Sequence, residues 1–168
     1  MIPVHLFGQP AAMDELLEVA RRHRLRVIED CAQAPGATYK RRKVGTLGDC
    51  GIFSFQETKN LMTGEGGMLI TEDPTIADIA RLLRNHGEAA VGPGEARSYK
   101  AEILGWNYRM TEFEAALVQH LEHGTSLRLS DHRIRRERPG TGLRTSDNGE
   151  LTHGRLPKRL RCAVCISG

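Results

Sequence analysis

Short continuous apolar runs alternate along this chain with stretches in which apolar residues recur every three to four positions. Met13, Leu16, Leu17 and Ala20 fall at i, i+3, i+4 and i+7, which predicts a helix opened by Pro10, with Asp14 and Glu15 near the positive end of its dipole. Leu25 to Glu29, Gly51 to Phe55 and Met68 to Thr71 are compact apolar runs and predict buried strands, as does the start at Met1 to Leu6. Asp73-Pro74 has the form of a helix start, a capping side chain followed by a residue with no amide hydrogen to leave unpaired, and Ile76, Ile79, Ala80 and Leu83 predict its inward stripe. Thr111 and Glu114 have capping-box spacing ahead of Ala115, Ala116, Leu117 and Leu121. Strands alternating with helices predict an α/β domain.

Two of the apolar runs end in groups that carry chemistry. Val27-Ile28-Glu29 is followed by Asp30, and Phe53-Ser54-Phe55-Gln56-Glu57-Thr58 by Lys59, with the glycine cluster Gly64-Glu65-Gly66-Gly67 just beyond. In an α/β sheet, residues at the carboxyl ends of strands face the edge where such folds take their ligands, so a carboxylate and an amine are expected to converge there. The glycine cluster lacks the Gly-Lys-Ser/Thr ending of nucleotide-binding loops, which argues against nucleotide hydrolysis; its expected contribution is backbone freedom.

Six segments, in order, resemble the sugar aminotransferases of the DegT/DnrJ/EryC1/StrS family, which use pyridoxal 5'-phosphate. They are residues 3–10, 28–34, 44–49, 53–67, 83–87 and 105–109, and together they span roughly Ile2 to Glu122. The resemblance implies an α/β fold, the incomplete three-layer α/β/α large domain of a fold-type I enzyme. Residue by residue it implies that Lys59 holds the cofactor covalently and later moves a proton, and that Asp30 lies against the pyridine nitrogen. It also implies that Gln33 contacts the phenolic oxygen side, that Ser54 binds the phosphate, and that Asn107 reaches the phosphate of a neighbouring subunit in a homodimer. His5 and His86 fall in matching segments with no role implied by their spacing. Relatives that remove a sugar hydroxyl instead carry histidine where this chain has Lys59, so amino transfer is expected, from glutamate or glutamine to a keto-sugar or keto-cyclitol. No metal is expected.

Composition changes how much of such an enzyme is expected. A chain of 168 residues is the size of one domain, whereas the family's architecture is more than twice as long. Residues 1–123 are expected to be the partial large domain. Residues 124–168 carry ten Lys or Arg against four Asp or Glu, while residues 1–123 carry fourteen against seventeen, so the net charge of +3 resides in the later segment. That segment shows no sustained period and is expected to be a low-order basic tail, as a frameshift replacing the family's continuation would give. The other reading, a non-catalytic remnant whose tail binds nucleic acid or acidic partners, lacks aromatic stacking residues, since none follows Phe113. The chain alone is expected to be inactive and to bind the cofactor weakly or not at all. Cys31 and Cys50 read as small core residues, and Cys162-Ala163-Val164-Cys165 with His153 falls short of the four ligands of a zinc site. With no membrane-length apolar run and no secretory signal, a cytoplasmic location is expected.

Overall fold

The computed structural model describes residues 1–89, 96, 99–118, 120 and 162–166, the last five by backbone alone. Helix α1 is Met13–His23 and helix α2 is Pro74–Arg84. Strands β1 (Ile28–Asp30), β4 (Cys50–Ser54), β5 (Gly67–Thr71) and β6 (Cys162–Ile166) form a sheet in that spatial order. A two-stranded hairpin, β2 (Thr38–Tyr39) with β3 (Arg42–Lys43), stands beside it. The β1–β4 pair is parallel and the two later pairs are antiparallel, so the α/β arrangement carries a mixed sheet.

Local chemistry sets the element boundaries. Ala11 and Ala12 separate Pro10 from the first helical residue, and α1 ends where Arg24 takes a left-handed conformation at φ 53°. Arg24 and Leu25 donate their amides to Arg21 and Ala20, the paired bonds of a Schellman turn. Leu25 is therefore spent on the helix exit and is exposed, and the strand expected from Leu25 begins only at Ile28. Along Met1 to Leu6 the expected buried strand is reduced to a single parallel bridge, Val4 with Asp30. Pro3 and His5 are buried, while Ile2, Val4 and Leu6 on the other face are exposed. Pro3 has no amide hydrogen to give to the ladder, which accounts for the interruption.

The two helices differ in how well their stripes were foreseen. On α1, Met13 and Ala20 are buried and Leu16 and Leu17 pack with Val27, Tyr39 and Leu47. On α2, Asp73 caps the first turn through the amides of Thr75 and Ile76, but the buried residue is Ala77, with Ala80 and Leu69 beside it. Ile79 and Leu83, expected inside, are 48% and 41% exposed. The helix turns its small-residue side to β5, which allows close approach. Residues 112–118 are helical, and Thr111 and Glu114 exchange the reciprocal hydrogen bonds of a capping box.

Of the basic segment, Cys162–Ile166 is a strand paired antiparallel with all of β5. The low order expected of residues 124–168 therefore does not hold for this strand; residues 124–161 and 167–168, with His153, lie outside the described residues.

Candidate active site

The register of the parallel pair decides what meets at the carboxyl edge. Ile28, Glu29 and Asp30 align with Cys50, Gly51 and Ile52, so Asp30 ends β1 beside Ile52 and Ser54 ends β4 two residues further along the same direction. The amide of Cys31 donates to the Ile52 carbonyl at 2.9 Å, so the chain leaves β1 still tied to β4. Gln33 follows in the turn after β1. Lys59 lies in the connection from β4 to β5, a loop fastened at its base by the Phe55 amide to Gly66 at 2.8 Å and the Thr63 amide to Phe55 at 2.9 Å. Asp30, Gln33, Ser54 and the loop bearing Lys59 thus issue from one sheet edge.

Each of these side chains keeps donor or acceptor capacity for a ligand. Asp30 is half-buried and its Oδ1 accepts from the Ala32 amide at 3.0 Å, which leaves Oδ2 available. Gln33 Oε1 accepts from the Phe7 amide at 3.3 Å, leaving the Nε2 hydrogens to be given away. Ser54 Oγ accepts from the Gln56 amide at 3.3 Å, and its hydroxyl proton remains to be donated. Lys59 is half-buried, its backbone amide closes a turn onto Gln56 at 2.9 Å, and its ammonium forms no ion pair among the described residues. An acceptor for a ring N–H, donors for a phenolic oxygen and a phosphate, and an uncommitted amine are the donor set that pyridoxal phosphate requires.

Asn107 stands apart from this group. It is exposed and pairs across a bridge with Asn85, beyond the end of α2, rather than with the other four. Arg109 donates to Asn85 Oδ1 at 2.8 Å and holds the same junction together. Two hollows in the described surface, one over Gly45, Asp49 and Thr71 and one beside Leu17, Arg21 and Leu47, are not lined by any candidate residue.

A buried polar cluster behind that edge was not foreseen. Glu29 and His5 are both fully buried, with His5 Nε2 3.0 Å from Glu29 Oε2. His5 Nδ1 accepts the Ala11 amide at 3.0 Å, so the proton is on Nε2 and the ring is neutral. Glu29 also accepts the amides of Gly45 at 2.8 Å, Leu47 at 2.6 Å and Gly48 at 2.7 Å. His5, Glu29 and Cys31 lie close enough together to suggest a metal site. The acceptor atoms of His5 and Glu29 are already committed to N–H donors, the Cys31 thiol donates to the Glu29 carbonyl at 3.8 Å, and burial pushes that thiol up, with the charges of Glu29 and Asp30 adding to the effect. The sequence signal for this cluster was a glutamate inside an apolar run, a residue rarely buried unless paired.

Comparison with known proteins agrees with the fold and the motif. Residues 1–137 match the model of the DegT/DnrJ/EryC1/StrS aminotransferase family. A GDP-perosamine synthase of Caulobacter vibrioides is 50% identical over 139 residues, covering 82% of this chain and 35% of that protein. A dTDP-3-amino-3,4,6-trideoxy-alpha-D-glucose transaminase of Streptomyces venezuelae is 42% identical over 120 residues, covering 71% and 30%. The X-ray structure of the aminotransferase from Psychrobacter cryohalolentis superposes with a TM-score of 0.64 at 41% identity, covering 71% of this chain and 32% of that one. The chain spans about a third of the length of these relatives. It belongs to the DegT/DnrJ/EryC1/StrS aminotransferase family, whose members are pyridoxal-phosphate-dependent.

Proposed function

We propose that this chain carries the cofactor-holding edge of a pyridoxal-phosphate-dependent aminotransferase, acting in the complete enzyme between glutamate or glutamine and a keto-sugar or keto-cyclitol. The observation that carries the reading is the parallel register that brings Asp30 and Ser54 to one edge, with Lys59 in the loop leaving it. The substrate class is supported by relatives named for nucleotide-sugar products. No described helix is long and apolar enough to cross a membrane, which is compatible with a cytoplasmic biosynthetic enzyme. Completion of the site by Asn107 of a second subunit belongs to the same reading.

When bound, the cofactor supplies an electron sink that lets the C–H bond beside the substrate nitrogen ionise. Lys59 Nζ would hold the cofactor through its carbonyl group and, once released as the free amine, would carry the proton to and from the substrate carbon. Asp30 favours a protonated ring nitrogen by charge and by accepting its hydrogen. Ser54 and Gln33 fix the ring by donating at either side.

The test is reductive trapping. Because the chain alone is expected to bind the cofactor weakly, the full chain is incubated with a large excess of pyridoxal phosphate before borohydride reduction, and the reduced adduct is expected to be enriched on Lys59 over the other four lysines and to fall in Lys59→Ala. Even labelling of all five lysines, or labelling undiminished in Lys59→Ala, overturns the assignment. Without the rest of the enzyme no transamination is expected.

A further inference from the structure

We propose that Glu29 is the internal anion of a backbone nest formed by residues 45–48, and that this filled nest is the positioning device that aims Asp30 at the ligand edge. The inference rests on the reading of Asp30 as the acid facing the cofactor ring. Three inward amides, from Gly45, Leu47 and Gly48, with Gly45 at φ 88°, make the kind of concave donor set that elsewhere captures phosphate or carboxylate. Here the site is filled from within the chain. Because the fourth donor is a neutral imidazole, no cation among the described residues balances Glu29, and its charge is held there by N–H dipoles. The titratable groups that face it are His5 from the N-terminal segment, Cys31 from the exit of β1 and Cys50 from β4.

The consequence for Asp30 follows from strand geometry. Neighbouring residues on a strand point to opposite faces, so locking Glu29 into the nest commits Asp30 to the other face. A one-residue slip of β1 that carried Asp30 among the nest amides would turn Glu29 to the opposite face, at the position Ile28 now holds, and leave the ligand edge without its carboxylate. The three-residue ladder to β4, with bonds to Met1, Pro3 and His5 on the other side of β1, opposes such a slip through the backbone. Four hydrogen bonds to a buried carboxylate oppose it strongly, since each charged bond of this type contributes about 1.5–3 kcal/mol. Glu29→Gln would replace one acceptor oxygen by an NH2 group, setting donor against donor.

Amide hydrogen exchange on the full chain, without cofactor, reads the proposal directly. In Glu29→Gln the amides of Gly45, Leu47 and Gly48 should exchange at least about tenfold faster. The Ala32 amide, which reports the Asp30 carboxylate, should follow them, while the Ala77 amide inside α2 keeps its protection. Asp30→Ala should release Ala32 alone. Continued protection of Ala32 in Glu29→Gln overturns the positioning role. If the variant loses Ala77 protection as well, Glu29→Asp, which keeps the carboxylate but shortens its reach into the nest, provides the same reading. Release of Gly45, Leu47, Gly48 and Ala32 with Ala77 still protected supports the positioning role, and release of the nest amides with Ala32 still protected overturns it. Failure of lysine trapping would leave all these exchange rates unchanged, so the two readings fail separately.

Discussion

Arg24 shows what a single residue sets aside to end a helix. It occupies the left-handed position of the turn after α1, where glycine has no Cβ to crowd. Arg24→Gly is therefore expected to stabilise the chain by about 0.5–1 kcal/mol, read as a higher urea midpoint at unchanged slope. Gly51 is the opposite case. A Cβ there would meet the Gly45 Cα at 2.4 Å, against backbone that cannot swing aside, so Gly51→Ala should cost at least about 3 kcal/mol and be visible as a lowered melting temperature. Asp49 adds a pH dependence. Burial works against its charge, yet the Val27 amide at 2.7 Å and Arg26 outweigh that and hold the carboxyl below its ordinary value. A depressed carboxyl contributes stability above its unfolded value, near pH 4, that disappears as pH falls further. The contribution, about 1 kcal/mol, should vanish from the acid limb of the stability profile in Asp49→Asn.

At the scale of elements, legibility followed the strength of local signals. The Asp73 cap, the capping box at Thr111 and the apolar face of α1 were readable because each is set within one or two turns of helix. Asp73→Ala should cost about 1 kcal/mol, measurable by chemical denaturation. The hairpin of β2 and β3 escaped notice because its two-residue turn is Lys40-Arg41, at φ 46° and 66°, where Asn-Gly is the usual sign. The orientation of α2 was misjudged for a different reason. Periodicity names a stripe, but Ala77 and Ala80 win the sheet-facing side because small residues let the helix approach β5, leaving Ile79 and Leu83 outside. Of the candidate site, the places of Asp30 and of the Lys59 loop at the strand-end edge were legible from runs that stop at a chemical group, whereas Ser54 was singled out by the family resemblance. The Glu29 nest was not, because its partners are backbone amides some sixteen to nineteen residues away, and amides leave no signature in composition.

For the whole molecule, the sheet's far side depends on a strand from the end of the chain. β6 covers β5 along all five residues, and without it β5 would present a row of unpaired backbone groups to other chains. Removing residues 162–168 is expected to promote self-association, detected as a rise in scattering mass with concentration, whereas the Lys59 loop should be unaffected. That loop has a simpler dependence. Its two ends belong to neighbouring antiparallel strands and are stitched at Phe55, Gln56, Thr63, Gly64 and Gly66, so closing it asks little of the distant chain. The segment from 55 to 66 is in effect a self-contained cassette, and exchanging its tip between relatives would vary the reach of the amine while leaving the hinge on which it is mounted intact.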